Sequence, residues 1–201
     1  MFIYLHGFNS AGTSVKAAQL RDMFVPIPVL APTYPAHMAR VAVASLTAFT
    51  QKARREYPNE KQIVLIGSSL GGFYAQHLAR TMNAGIVLIN PSIYPQETLL
   101  GCVGLNRNVA TGQEYELTHT QVRALAEFSY ERCDPAVPTL LLLDAGDELL
   151  DYRIAEAWYR GCGKTVVYAQ GSHRFEHLAE AGTAICRFHA DISPFPRSTQ
   201  P

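Results

Sequence analysis

The residues best suited to chemistry form a G-x-S-x-G motif made by Gly67, Ser68, Ser69, Leu70 and Gly71. The motif follows an apolar run typical of a buried strand and precedes a helical pattern. At such a turn the central serine is held in a strained backbone conformation, and flanking glycines prevent clashes with the neighbouring strand and helix. We therefore predict that Ser69 is a nucleophile supported by Gly67 and Gly71. Ser68 lies one residue early and is expected to form local hydrogen bonds.

A serine hydroxyl is a weak nucleophile at neutral pH and needs an adjacent base. After such a motif the partners are expected in the chain order serine, acid, histidine. Of the seven histidines, His173 alone lies in a loop directly after a late predicted strand. We predict that His173 is the base. His177 lies one helical turn further on, and we interpret it, like His77 and His189, as a surface or packing residue.

Two aspartates follow the strand predicted before the base, and they compete for the role of the acid. Asp144 belongs to the strand end, whereas Asp147 lies in the loop after a glycine. The loop position favours Asp147 as the carboxylate that orients His173. Asp151 is expected to cap the following helix. Acid and base both emerge beyond strand ends, at the edge where open α/β sheets carry their sites.

The segment after the first predicted strand reads His6, Gly7, Phe8. The glycine permits a tight turn that directs the N–H of Phe8 toward the nucleophile. Together with the N–H of Leu70 it is predicted to bind the oxyanion of a tetrahedral intermediate, and losing one such donor typically costs about 3 kcal/mol. His6 precedes the nucleophile, so we interpret it as a residue that orients this loop rather than as the base.

Short apolar runs alternate with longer helical patterns along the chain. This alternation predicts a mostly parallel sheet with helices on both faces. Strands are expected at 2–5, 29–31, 62–66, 85–89, 139–143 and 165–168, and helices at 14–23, 38–57, 71–81, 152–160 and 175–189. In the second helix the apolar positions recur at helical spacing and are expected in the core: Val41, Leu46, Phe49 and Ala53. One domain is predicted over 1–193, followed by a flexible tail at 194–201.

The segment at about 91–134 breaks the alternation and ends with a short predicted helix near 121–131. A long insertion in a small domain is often a lid or a binding element, and it can equally be ordinary edge packing. Both interpretations stay open. Its apolar residues, among them Leu99 and Leu105, either line an acyl pocket or are buried packing.

Composition excludes several classes of function. Lys plus Arg and Asp plus Glu each number 17 in 201 residues, so the formal net charge is zero. Proteins that bind nucleic acids or cover anionic membranes usually carry an excess of basic residues, so both functions are disfavoured. No signal peptide or bilayer-spanning run is visible. The spacing of the four cysteines is typical neither of a disulfide framework nor of a metal site. It predicts reduced thiols and no metal, as in a cytoplasmic protein. The four are Cys102, Cys133, Cys162 and Cys186.

Four pieces of sequence occur in a recognisable order: HGFNS, GSSLGG, GDELLDY and GSHRF. With them the chain resembles the YqiA-like bacterial esterases of the α/β-hydrolase superfamily, from residue 1 to about 193. The proline-rich tail beyond Ser193 departs from the family pattern but leaves the predicted site untouched.

The resemblance implies a single-domain α/β-hydrolase fold and hydrolysis of short acyl esters or acyl-CoA thioesters. It places Ser69, Asp147 and His173 at the positions of a catalytic triad, with Phe8 and Leu70 at the oxyanion positions. The expected function is a serine hydrolase acting on a small acyl ester or thioester without cofactor or metal. A C–C hydrolase, an acyltransferase and a non-catalytic binding protein that retains the fold stay open, because a fold and a triad do not determine the substrate.

Overall fold

The computed structural model describes residues 1–192 of the chain. The predicted tail at 194–201 lies outside the described residues. Within them, one six-stranded sheet forms the centre of the molecule, and its strands run parallel in the order β2-β1-β3-β4-β7-β8. The strands are β1 Phe2–Leu5, β2 Val29–Leu30, β3 Val64–Ser68, β4 Gly85–Ile89, β7 Thr139–Asp144 and β8 Lys164–Tyr168.

All six expected strands are present, and the two at 2–5 and 85–89 have the predicted bounds. Strand β3 starts two residues later than predicted and continues to Ser68, where it pairs with Ile89 of β4. The four strands between β2 and β8 are buried along their whole length, because helices cover both faces of a parallel sheet. Their continuous apolar runs are the sequence signature of that double burial.

The long helices cover the two faces of the sheet. Helices α2 and α3 pack on one face, and α1 and α7 pack on the other, so each face has its own apolar cluster. The helices are α1 Val15–Met23, α2 Ala39–Glu56, α3 Leu70–Met82, α6 Tyr152–Trp158 and α7 Leu178–Asp191. Asp151 is the N-cap of α6 and accepts the N–H of Arg153, as predicted.

Two predictions about the helices are wrong. Val41 is 44% exposed, and Ala42, the next residue of α2, is buried in its place. The last helix begins at Leu178 instead of residue 175 because Phe175 has a left-handed backbone, with φ of 60°. Its side chain is buried in the cluster beneath α7. The tertiary contact of this aromatic ring thus outweighs the helical pattern around it.

The insertion contains structure that its sequence did not predict. A two-stranded antiparallel hairpin, β5 Gly104–Arg107 and β6 Glu114–Leu117, lies between short helices. These are α4 Pro95–Thr98, α5 His119–Ala124 and 3₁₀ turns at Leu100–Cys102 and Leu125–Phe128. Leu99 packs against the main core, whereas Leu105 is 92% exposed and is neither buried packing nor part of an enclosed pocket.

The hairpin is hydrogen-bonded to the loop that follows β1. The Tyr115 hydroxyl donates to the side chain of Asn9, and the Asn108 amide donates to the carbonyl of Ser10 at 2.9 Å. The backbone N–H of Val109 at the hairpin tip donates to the carbonyl of Asn9 at 3.2 Å. The insertion therefore braces the loop that carries Phe8.

The prediction of four reduced thiols is wrong. Cys133 and Cys162 form a disulfide with a Cα–Cα distance of 6.2 Å, and Cys102 and Cys186 are free. The bridge joins the end of the insertion to the turn between α6 and β8, next to the amino ends of β7 and β8. The cysteines therefore do not support a cytoplasmic location, which stays a prediction. No helix among the described residues is long and apolar enough to cross a membrane.

Loss of the disulfide is expected to destabilise the fold. The two cysteines are 29 positions apart, and a loop of that length predicts about 3–4 kcal/mol from the chain-entropy model. Urea unfolding with and without reductant measures this difference, and Cys133→Ala/Cys162→Ala should reproduce the reduced value. A Cys102→Ser/Cys186→Ser variant is the matched control and should respond to reductant as the wild type does. Equal unfolding midpoints in the presence and absence of reductant would contradict the prediction.

Candidate active site

Ser69 occupies the turn between β3 and α3 with φ of 55° and ψ of −123°. A non-glycine residue in such a conformation costs about 1–3 kcal/mol and persists only when its surroundings hold it. The N–H of Ser69 donates to the carbonyl of Ile89 at 3.0 Å. Its carbonyl accepts the N–H groups of Gly72 at 2.9 Å and Ser92 at 3.1 Å. Three backbone hydrogen bonds from two sides therefore hold the strained residue.

The glycines of the motif are required by close approach. A Cβ on Gly71 would collide with the carbonyl oxygen of Leu5 in β1, and a Cβ on Gly67 would collide with the carbonyl oxygen of Gly71. Helix α3 therefore starts in direct contact with the backbone of two strands. This contact brings the first turn of α3 and Ser69 to the carboxyl edge of the sheet.

His173 links the serine to the acid. Its Nε2 lies 3.0 Å from Oγ of Ser69, and its Nδ1 lies 2.8 Å from Oδ2 of Asp147. A carboxylate only accepts hydrogen bonds, so Nδ1 carries the proton and Nε2 is free to accept the serine hydroxyl proton. The structure thus brings together the three side chains that the sequence singled out.

The Asp147 side chain is shielded from solvent and hydrogen-bonded to its own loop. The Asp147 side chain is 1% exposed, whereas that of His173 is 18% exposed. Oδ1 of Asp147 accepts the N–H groups of Leu149 at 2.9 Å and Leu150 at 2.8 Å, and both carboxylate oxygens face Nδ1 of His173, Oδ2 at 2.8 Å and Oδ1 at 3.0 Å. The next residue, Glu148, accepts the backbone N–H of His173 at 2.9 Å, and this bond lowers the pKa of the Glu148 carboxyl.

His6 is buried beneath the loop after β1. Its Nε2 lies 3.3 Å from the backbone N–H of Tyr34, which can only donate, so Nδ1 is protonated and donates to the carbonyl of Gly7 at 2.9 Å. Burial lowers the pKa of the ring, and the bond to Gly7 acts in the opposite direction. The ring also stacks on Tyr34 with a centroid distance of 4.2 Å. A role of His6 in orienting the loop stays a prediction.

The two predicted oxyanion donors belong to residues next to the serine or next to its neighbour Gly7. Leu70 is the first residue of α3, and Phe8 follows Gly7, where a Cβ would be 3.1 Å from the Cβ of Ser69. Among the backbone hydrogen bonds of the described turns and loops, neither the Phe8 nor the Leu70 N–H has an acceptor. Their role as oxyanion donors stays a prediction.

Sequence reasoning missed Asn90, which ties the base loop to the sheet. This residue is 2% exposed and follows β4 with φ of 42°. Its amide donates to the carbonyl of Ser172 at 3.0 Å, and its side-chain oxygen accepts the N–H of Asp144 at 2.9 Å. An asparagine directly after a buried strand and before a proline is the signal that could have identified it.

A second overlooked residue, Lys16, lies beneath the turn that carries the serine. Its Nζ donates to Oγ of Ser68 at 3.0 Å, so the hydrogen bond of Ser68 joins residues 52 positions apart and is not the local one that was predicted. The stem of Lys16 is partly exposed, but its ammonium group is buried, which lowers its pKa to about 8. The carboxylates of Asp144 and Asp147 act in the opposite direction.

The ring of His177 stacks on Tyr168, as expected of a packing residue, but it also makes a polar contact that the sequence did not suggest. His177 is the residue before α7, and its Nδ1 lies 2.7 Å from Oδ1 of the fully buried Asp144. Of the other helical histidines, His77 contacts Tyr130 and His189 stacks on Phe2, as packing residues do. No three His, Cys, Asp or Glu side chains in the described part of the chain are grouped to hold a metal ion.

Solved structures with the same fold define the class of this protein. Est1E from Butyrivibrio proteoclasticus superposes with a TM-score of 0.68 at 18% identity, covering 93% of this chain and 85% of its own. Alpha/beta hydrolase domain-containing protein 10 from mouse superposes with a TM-score of 0.67 at 15% identity, covering 92% and 86%. The chain has the single-domain α/β-hydrolase fold, which confirms the predicted fold class.

The family follows from sequence. The model described as "Uncharacterised protein family (UPF0227)" matches residues 1–190. A UPF0227 protein of Yersinia pseudotuberculosis serotype O:1b is 30% identical over 182 residues, covering 89% of this chain and 93% of the relative. The chain belongs to UPF0227, the YqiA-like family, as its four sequence pieces predicted.

Replacing Lys16 is expected to change stability in a pH-dependent way. The pKa of Lys16 is about 8 in the folded chain, against about 10.4 in the unfolded one, so the cost of burying the charge is complete below pH 8. Between these two pKa values the unfolded chain binds more protons than the folded chain. The cost of burying the charged ammonium group therefore disappears as the pH rises from the lower value to the higher one. Lys16→Met should raise the unfolding free energy at pH 7 by up to about 3 kcal/mol, with a smaller gain above pH 8.

Urea unfolding of the two proteins at pH 7 and pH 10 measures this difference. Lys16→Arg is the matched control, because an arginine keeps its charge and should show no gain at either pH. A Lys16→Met effect of the same size at both pH values would contradict the buried-charge explanation.

Proposed function

We propose that the protein is a serine hydrolase that cleaves carboxylic esters or thioesters through an acyl-enzyme on Ser69. The observation that carries this proposal is the continuous contact from Oγ of Ser69 through the His173 ring to the carboxylate of Asp147, with distances of 3.0 and 2.8 Å. Membership of UPF0227 and the α/β-hydrolase fold support it, since esterases of Pyrococcus furiosus and Thermogutta terrifontis have this fold.

In the first half of the reaction Ser69 attacks the acyl carbonyl of the substrate. Nε2 of His173 removes the hydroxyl proton as the bond between Oγ and the carbonyl carbon forms. The Asp147 carboxylate stabilises the resulting imidazolium and keeps the proton on Nδ1. The imidazolium then donates its Nε2 proton to the leaving alcohol or thiol, which leaves an ester on Ser69.

The N–H groups of Phe8 and Leu70 are proposed to bind the oxygen that becomes negative in each tetrahedral intermediate. Both lack an acceptor among the described turns and loops, and the N-terminus of α3 adds a favourable dipole. In the second half, water attacks the acyl-enzyme while His173 takes one of its protons. The imidazolium returns that proton to Oγ of Ser69, and the carboxylic acid leaves.

The proposed substrate is a small acyl ester or thioester. A formal net charge of zero offers no general attraction for a polyanion. An oxygen ester and a thioester that carry the same acyl group distinguish the two chemistries, because they share the acyl-enzyme and differ only in the leaving group. A series of acyl lengths on the preferred leaving group then measures the depth of the acyl site.

Ser69→Ala should lower kcat for a p-nitrophenyl ester by at least about 10⁴-fold, because it removes the attacking atom. The fold should be unchanged, since the strained backbone of Ser69 is held by backbone hydrogen bonds. Ser68→Ala is the matched control, one residue away and outside the proposed machinery, and should keep activity within a few-fold. Full activity of Ser69→Ala would remove Ser69 from the mechanism.

Asp147→Asn should lower kcat by about 10⁴-fold, because an amide that donates to Nδ1 reverses the tautomer and leaves no base at Nε2. Thermal unfolding of the variant checks that the loop still folds, since the amide oxygen can still accept from Leu149 and Leu150. A kcat close to that of the wild type would show that the acid of the site is a different residue.

A further inference from the structure

A second histidine–carboxylate pair lies beneath the proposed triad and has no part in the mechanism above. Asp144, the last residue of β7, is fully buried, and its Oδ1 lies 2.7 Å from Nδ1 of His177. A carboxylate accepts hydrogen bonds, so Nδ1 of His177 is the donor. Burying a carboxylate is costly unless hydrogen-bond donors surround it, so Asp144 needs further donors.

The other oxygen of Asp144 binds the loop that carries the proposed base. Oδ2 accepts the N–H of Ser172 at 3.2 Å and the N–H of Glu176 at 2.8 Å. These two groups lie on either side of His173 in the chain. One carboxylate thus binds both ends of the segment 172–176, which contains His173.

A glycine at the start of the loop makes room for the Asp144 carboxylate. Gly171 has φ of 75°, and a Cβ at this position would collide with Oδ2 of Asp144. From the neighbouring strand end, the Asn90 amide donates to the carbonyl of Ser172 at 3.0 Å. Side chains at the ends of β7 and β4 therefore hold the loop by both its N–H and its carbonyl groups.

His177 completes this contact and is also the titratable member. Its ring stacks on Tyr168 of β8 with a centroid distance of 4.9 Å, and its side chain is 21% exposed. The hydrogen bond to Asp144 raises the pKa of His177, as do the charges of Glu180 and Glu176 on its own segment. The buried ammonium of Lys16 on α1 acts on Asp144 from a third element.

We propose that Asp144 and His177 form a positioning pair that holds the 171–176 loop so that the imidazole of His173 reaches Ser69, most firmly when His177 is protonated. This inference rests on the proposed function, in which His173 is the base. Charge strengthens a hydrogen bond, and a displacement of the base by about 1 Å costs roughly 10²-fold in rate. The hydrogen bond between His177 and Asp144 is strongest when His177 is charged, and it weakens as the pH rises through the raised pKa of His177.

The test compares two variants of His177 with the wild type. His177→Asn keeps a neutral donor near the position of Nδ1, whereas His177→Phe keeps the stacking ring and removes the donor. We expect His177→Phe to lower kcat by about tenfold with KM nearly unchanged, and His177→Asn to restore most of that loss. The ratio of wild-type kcat to that of His177→Asn should fall toward one as pH rises above neutrality, because only the wild-type residue loses its charge.

Thr118→Val is the matched control for a general loss of stability. It removes the N-cap of α5, which is remote from the loop, and should leave kcat and its pH profile unchanged. Equal kcat values for His177→Phe and the wild type, or a kcat ratio of wild type to His177→Asn that does not change with pH, would overturn the positioning role.

Labelling of Ser69 by a fluorophosphonate distinguishes failure of this inference from failure of the proposed function. A wild-type protein that is not labelled would remove the function itself. A wild type that is labelled, with Asp144→Asn and His177→Phe labelled at the same rate, would leave the function intact and overturn the positioning pair. We expect both variants to be labelled about tenfold more slowly than the wild type.

Discussion

The contact between Oγ of Ser69 and Nε2 of His173 joins residues 104 positions apart. It exists because β3 and β8 run parallel in one sheet and end at the same edge, with β4 and β7 between them. The strained backbone of Ser69 directs its side chain to that edge, and the loop after β8 brings His173 to it. Any change that moves one of these two loops breaks the contact, so the remaining interactions of the site have to hold them.

The site lies on a layer of polar side chains instead of directly on the apolar core. Strand side chains alternate between faces, so Ser68 and Asp144 continue the rows of Ile66 and Leu142 that pack under α1 and α7. Burial raises the pKa of the nearby Tyr4 hydroxyl to about 12. This layer supplies fixed donors and acceptors beside Ser69 and His173. An apolar layer would leave the N–H groups of Ser172 and Glu176 without partners, and each would cost about 1–3 kcal/mol.

Much of the fold and most of the candidate site were predictable because their signals are local. The glycines around Ser69 report a close approach of helix and strand, and the buried strands are continuous apolar runs. The hairpin β5–β6 gave no such signal. Its short strands are positioned by polar contacts with a distant loop, such as that from Tyr115 to Asn9, and not by a continuous apolar run. The disulfide was missed for a related reason, since Cys133 and Cys162 are brought together only by the arrangement of β7 and β8.

The same distinction explains which site residues were missed. Asn90, Lys16 and the Asp144–His177 pair act through contacts between segments that are far apart in sequence. Nothing near His177 in the chain indicates that a carboxylate 33 positions earlier lies 2.7 Å from its ring. The placement of Asp147, rather than Asp144, beside His173 could be predicted because it depended only on where the strand ends.

The most direct test of the account is to locate the acyl group during turnover. The protein is mixed with a p-nitrophenyl ester, quenched in acid within the first turnover, digested, and analysed by mass spectrometry. The account predicts an added acyl mass on the peptide that contains Ser69, absent from Ser69→Ala treated in the same way. Turnover without any acylated peptide, or with the acyl group on another residue, would contradict it.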